Sequence, residues 1–367
     1  MRTLHSPGTD RTWSIEVQGA LSRIQSGAPG KERTSERHHA DATAAREYAQ
    51  KEWIQLKKGN VLANPDAPPG SPRMHRFLGR GYTGALVAAN VGGRLLCNRP
   101  GETEELAFVS PEGEIETALA LPPNTLAWEV AEAPTIEGAL LLLDHRVMAW
   151  TSGSGATSPL TREATAPASF LSVAGDLAAW YDAPYAVVHD LARGEDRLRH
   201  EVHPELYAGH TFQLAGSLSP DAGTLALCAT SGELTLVDVA SGEVRRQEGA
   251  FAMIERLSFA PDGRYLLAHE RYGGWTLLAF DPKSGAMLPH WPPLGDLSGA
   301  AFDIDPAGER LALAHRARMR IYNLEDMTLR AEFEIDHVVK RSAVVWIGES
   351  TLGIRTDVGC ASLYSVD

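Results

Sequence analysis

From about residue 75 onward the chain is built of short apolar runs separated by turn residues, and the runs recur at a steady interval. Leu218-Ser219-Pro220-Asp221-Ala222-Gly223, followed by the apolar stretch Leu225-Ala226-Leu227, is echoed by Phe259-Ala260-Pro261-Asp262-Gly263 and again by Ile304-Asp305-Pro306-Ala307-Gly308. A second element trails each copy: Leu236-Val237-Asp238-Val239-Ala240-Ser241-Gly242, then Ala279-Phe280-Asp281-Pro282-Lys283-Ser284-Gly285, then Ile321-Tyr322-Asn323-Leu324-Glu325-Asp326. Val188-His189-Asp190-Leu191-Ala192-Arg193-Gly194 is an earlier copy. Proline presets φ at such a turn and glycine accepts the positive φ that a tight reversal needs. Runs such as Thr235-Leu236-Val237-Asp238-Val239 therefore read as short strands between turns.

The prolines at 220, 261 and 306 set a period of 41 to 45 residues. Four short strands at that period are the sequence signature of a propeller blade, a unit that buries both faces only when several close into a ring. The expected fold is all-β, a seven-bladed β-propeller over residues 74–367, with six or eight blades as the alternatives. The last repeat is short by one strand, and Met74–Gly79, lying ahead of the first blade, is expected to supply it and close the ring.

Residues 1–63 follow another pattern. Thr12–Val17 alternates as a strand, Arg33–His39 reads as a second, and Asp41 caps a helix carrying Ala45, Tyr48, Ala49, Trp53 and Leu56 at helical spacing up to Gly59. Residues 64–73 are proline-rich and read as a linker between this α+β unit and the ring.

The repeats resemble the WD-repeat family in the Ser/Ala-Pro-Asp-Gly turn and in the Asp-x-x-Ser-Gly strand end. No Trp-Asp dipeptide occurs, and Gly209-His210 is the single Gly-His followed by Val237-Asp238 in the later position. The first unit resembles a WGR domain in Trp13-x-Ile15, Gly27-x-x-Gly30 and the helix end Leu56-Lys57-Lys58-Gly59; Arg23-Ile24-Gln25-Ser26 stands where the signature belongs. The first resemblance implies a binding platform. The second implies a module that in poly(ADP-ribose) polymerases contacts DNA ends.

Charge sharpens the division. The chain carries −13 overall, with ten Lys/Arg against seven Asp/Glu in residues 1–63 and 24 against 40 in the remainder. So acidic a body repels phosphate, and nucleic acid is expected only through residues 1–63, with Arg33, Arg37 and His38 as the candidate contacts. An ordinary solvated strand face is the competing explanation, since neighbouring strand residues point to opposite sides. Cys97, Cys228 and Cys360 are too scattered for a disulfide framework or a zinc site, and no metal or cofactor is expected. No apolar run is long enough to span a bilayer, so a cytoplasmic location, probing no membrane, is expected.

No nucleophile elbow, phosphate loop or His-Glu-x-x-His motif is present, which leaves no motif for an enzyme. The loops joining second and third strands share one face of a propeller with the loops between blades. Arg99, His145, Arg146, Asp182, Arg271, Tyr272, His315 and Arg316 fall there, rich in the residue types that dominate binding hot spots. The expectation is a non-enzymatic bacterial interaction scaffold with a protein partner. A nucleic-acid or ADP-ribose sensor acting through residues 1–63 is the first alternative, and a propeller hydrolase or lyase is the second.

Overall fold

The computed structural model describes residues 2–80, 85–144, 146–161, 170–207, 211–212, 214–288, 291 and 294–367. The chain opens with an antiparallel meander of β1 (Arg2–His5), β2 (Thr12–Gln18), β3 (Leu21–Gly27) and β4 (Arg33–His38). Asp41 caps the helix that follows, accepting from the Ala44 N–H at 2.8 Å. The expected single helix is two: α1 (Ala42–Ala49) and α2 (Glu52–Lys57). The break lies at Gln50 and Lys51, whose N–H groups reach back only three residues, to Glu47 and Tyr48. Such tightening ends one helix before the next begins.

β5 (Val61–Ala63) pairs with β1 on one side and with β6 (Pro72–Phe77) on the other, through Leu62↔His75 and Ala63↔Met74. The proline-rich segment is thus the turn between two paired strands, and Pro72 takes the first position of β6, where a missing N–H costs least.

Six blade-sized antiparallel sheets follow in chain order, spanning 88–120, 127–159, 171–201, 215–248, 253–280 and 301–334, with a small two-stranded hairpin, Leu206–Tyr207 and Thr211–Phe212, between the third and the fourth. Five have four strands and the sheet 253–280 has three. The expectation was seven blades; six blade-sized sheets stand apart among the described residues. The last three strands, Ser342–Trp346, Thr351–Thr356 and Cys360–Ser365, pair onto β6 through Cys360↔Phe77 and Leu363↔Met74. They belong to a nine-stranded sheet that runs on through β5 and β1 to β4.

Apolar layers fill the space between successive sheets. Ala226, Leu236, Leu266 and Phe280 share one layer; Met319, Ile321, Trp346 and Ile354 share another. A further layer, Met74, Leu95, Val109 and Leu363, brings the terminal sheet against the first free-standing one, so the sheets form a closed ring. The three cysteines are buried and unpaired in these layers, and burial pushes the Cys97 and Cys360 thiols up to about 12.

Polar side chains on the innermost strands stitch neighbours together. Ser172 accepts from Leu218 N–H at 2.9 Å, Ser217 from Phe259 N–H at 3.3 Å, and Asp303 from Trp346 N–H at 2.9 Å. Arg256 donates to the Phe302 carbonyl at 2.8 Å, and Asn90 to the Trp346 carbonyl at 3.1 Å. These bonds satisfy backbone groups that face a channel instead of a fourth neighbour strand. A polar channel lining therefore has a structural duty before any functional one.

Where the chain ends meet, buried charge replaces repeat chemistry. Arg355 is fully buried and donates to the carbonyls of Asn98 at 3.1 Å and Gly79 at 2.6 Å. His75, also fully buried, bonds Ser362 Oγ through Nδ1 at 2.7 Å and Asp336 through Nε2 at 3.2 Å. Burial lowers the proton affinity of His75. Burial would also raise Asp336, but hydrogen bonding to His75 and the nearby Arg2 guanidinium outweigh it and hold that carboxyl well below the usual range.

Candidate functional site

The site is fixed by strand direction. Each innermost strand runs antiparallel to the second strand of its sheet, as in Met253↔Arg271 and Ala301↔Ala314. The start of every innermost strand therefore lies beside the loop joining second and third strands. At this end the channel opens into a cavity of about 710 Å³, lined among others by Trp128, Glu255, Arg256, Arg271, Trp275 and Asp303.

The hairpin Tyr272–Trp275 forms one wall of the mouth. Glu270, buried at the end of its strand, accepts from Gly274 N–H and Ala252 N–H, each at 2.7 Å, and from the Thr276 hydroxyl. Burial would raise this carboxyl, yet those hydrogen bonds hold it below its usual value. The backbone wraps the carboxylate so tightly that a Cβ at Gly273 would stand 2.2 Å from a Glu270 oxygen. A larger residue there would have to push the carboxylate out of its hydrogen bonds. The wrap turns Tyr272 and Trp275 to positive φ (67° and 49°) and sets their rings edge to face, 5.5 Å apart. Non-glycine residues at positive φ carry strain that the surrounding structure must hold.

Arg271 lies over the Tyr272 ring, 4.8 Å from its centre, with its guanidinium 3.7 Å from Glu255. Glu255 is also held by His269 Nδ1 at 2.8 Å. Trp128 stands 48% exposed on another wall, yet its indole N–H donates to Asp144 at 2.6 Å, which fixes the ring. Deeper carboxyls differ: burial pushes Glu129 and Asp303 above the usual range, Arg256 only partly offsetting it. Both accept a backbone N–H from the next innermost strand, so their burial has a stitching role. The mouth thus presents fixed apolar rings beside paired charges.

Of the residues singled out from sequence, Arg271 lines the cavity and Tyr272 adjoins it. Arg99 is committed to Glu105 at 3.0 Å, and Asp182 lies 3.7 Å from Arg199. Arg316 lies 3.9 Å from Asp296, both well exposed, while His315 is half-buried and less basic than usual because of burial and the adjacent Arg316 charge. Arg146 opens the third strand of the second sheet, away from the cavity lining. His145 lies outside the described residues, as does Gly209-His210. The face is a mosaic of internal ion pairs, distributed around the ring.

The other candidates are on the exposed edge strand β4. Arg33 and Arg37, four residues apart, share one side, and His38 points to the other. Arg37 sits 5.0 Å from the centre of the Tyr48 ring on α1.

Sequence reading missed Trp128, Glu129, Glu255, Trp275, Asp303 and Arg341, all at the cavity. One signal was legible: Gly273-Gly274-Trp275, a large aromatic placed in a hairpin instead of a strand. The others lie at the starts of innermost strands from four different sheets, and only ring closure gathers them.

The class of protein this architecture defines is a β-propeller, and comparison with solved structures agrees. The β-propeller domain of Myceliophteria thermophila Cps50 (Swd1) is similar at a TM-score of 0.59 and 15% identity, covering 80% of this chain and 100% of that one. A chain of the mitotic checkpoint complex is similar at a TM-score of 0.64 and 11% identity, covering 82% of this chain and 93% of its own. At such identities the likeness establishes the fold alone. No family model matches the sequence, and no curated protein matches it. Among the described residues no helix is long and apolar enough to cross a membrane.

Proposed function

We propose that this chain is a non-enzymatic interaction scaffold that docks a protein partner over the channel mouth. The observation that carries the reading is the cavity of about 710 Å³ whose rim holds the fixed rings of Trp128 and Trp275 beside Arg271. Tryptophan, tyrosine and arginine anchor most binding hot spots, and a ring already held in place loses little entropy on binding. One similar structure of the same fold comes from the mitotic checkpoint complex, which fits this role.

We read the ring as seven-bladed, with Ser342–Ser365 and β6 as the blade that joins the chain ends. Apolar layers on both sides of those strands support this count. Residues 1–63 are read as a WGR-like unit, on the strength of the four-stranded meander followed by helices. The sensor alternative rests on Arg33 and Arg37 sharing one side of an exposed edge strand.

The test is crosslinking in the native host followed by mass spectrometry, with the wild type beside Trp128→Ala/Trp275→Ala and Arg33→Glu/Arg37→Glu. A partner that crosslinks to the wild type and is lost at least tenfold with the tryptophan pair supports docking at the mouth. Equal capture by that double variant would overturn it. Loss of nucleic acid with the arginine pair would favour the sensor.

A further inference from the structure

We propose that Glu52, His75 and His337 form a binding site for a divalent first-row transition metal ion, zinc foremost, that fastens the N-terminal unit to the ring. Their donor atoms all lie within 4.8 Å of one another. Glu52 Oε1 and His337 Nε2 are 3.4 Å apart. Two ligands around a tetrahedral zinc ion, with bonds of about 2.0–2.2 Å, stand roughly 3.4 Å apart, so this pair already has the required spacing. His75 would have to release Asp336 and turn Nε2 toward the other two ligands.

The supporting shell is built as metal sites are built. A ligating imidazole is held by a hydrogen bond from its other nitrogen, which fixes ring direction and tautomer. His75 Nδ1 has that partner in Ser362 Oγ at 2.7 Å, which leaves Nε2 facing Asp336 Oδ2 at 3.2 Å, beside the cluster. His337 is held from the side by Trp53, stacked at 4.9 Å and 25°. His75 and Glu52 are buried, and the His337 side chain is 12% exposed.

Charge also leaves a place for a cation. Two carboxylates, Glu52 and Asp336, face a single guanidinium, Arg2, at 3.8 Å and 2.9 Å. Two carboxylates against one guanidinium leave a place for a further positive charge at this largely buried spot, since a buried charge is costly unless paired. An ion bound by Glu52 and the two imidazoles would supply that charge. Asp336 would keep Arg2 and the Tyr364 hydroxyl as partners when His75 Nε2 turns to the metal.

The three ligands come from α2, from β6 and from the loop before Ser342–Trp346. A bound ion would therefore tie the N-terminal unit to two separate parts of the ring. Its removal should loosen residues 1–63 first.

The test uses the full chain without a histidine tag, stripped with chelator and then given zinc or cobalt(II). The expected result is one equivalent of zinc retained after desalting, with tetrahedral cobalt absorption bands that zinc abolishes. Glu52→Gln and His337→Asn should each weaken zinc roughly 100-fold, at or beyond the upper limit for losing an outer partner. Arg2→Ala, at an exposed end of the cluster, should tighten it several-fold by removing the competing charge. It keeps the test informative where a ligand variant fails to fold. Less than one-tenth of an equivalent at micromolar free zinc would overturn the proposal. So would an affinity unchanged in the folded ligand variants, or unchanged in Arg2→Ala.

Discussion

A free-standing sheet and the terminal sheet hold together by different means. In the sheet 215–248, Asp238 accepts from Ala240 N–H at 3.1 Å and from Ser241 N–H at 2.7 Å. Asp281 repeats this in the next sheet with Lys283 N–H at 2.9 Å and Ser284 N–H at 2.7 Å. Every partner lies within three residues. In the terminal sheet, by contrast, Arg355 reaches Asn98 and Gly79, and His75 reaches Ser362. Repetition can encode local bonds once per period. The closing of a ring happens once, so its residues have no counterpart in other sheets.

If closure depends on those single contacts, breaking one should cost more than breaking a repeated turn. Arg355→Met provides the largest effect. It strands the carbonyls of Asn98 and Gly79 in a buried site and is expected to cost about 4 kcal/mol. The urea midpoint should fall accordingly, and a loss below about 1 kcal/mol would show that apolar layers alone close the ring.

Gly138→Ala tests a sheet on its own terms. A Cβ there would meet the Trp150 carbonyl oxygen at 1.9 Å, and backbone cannot swing away as a side chain can. A cost of about 2–3 kcal/mol is expected from overpacking. Hydrogen exchange should rise chiefly in the sheet 127–159. Equal exchange gains around the whole ring would erase the distinction between local and closing contacts.

Trp346→Phe is intermediate. It removes an indole N–H that donates to the Asp303 carbonyl at 3.3 Å and part of a buried ring beneath Arg310. About 1.5 kcal/mol should be lost in thermal or urea unfolding.

Asp281→Asn is the smallest, at about 1 kcal/mol or less, because its partners are exposed turn groups. The hydrogen bonds from Ser284 and Lys283 hold the Asp281 carboxyl below its ordinary value. The unfolded chain then takes up the proton more readily, so this contribution is complete above about pH 4 and fades as pH falls below it. Stability of the wild type and variant, measured from pH 6 to pH 3, should converge toward the acid end. Parallel curves would remove the turn carboxylate from the account.

The helix break in residues 42–57 and the site at the channel mouth show where sequence reading stops. Asp41 was legible as a cap because its bond is three residues long. The break at Gln50 was not, since no glycine or proline marks it. At the mouth, Arg271 and Tyr272 were legible from their loop position, whereas Glu255 and Asp303 look like ordinary strand residues. On the face expected to be rich in Arg, His and Tyr, the ion pairs such as Arg99–Glu105 were not legible, because partner carboxylates arrive from across a hairpin.

By itself the sequence determined most of the strands, the turns and the blade repeat. Each rests on backbone propensities and hydrogen bonds reaching a few residues, repeated often enough to be read as a period. Only the tertiary structure decided which side chains meet. Glu52, His75 and His337 come together, as do Trp128 and Trp275, because closing the ring brings distant segments into contact. No local spacing encodes those distances, for the same reason that each contact occurs only once.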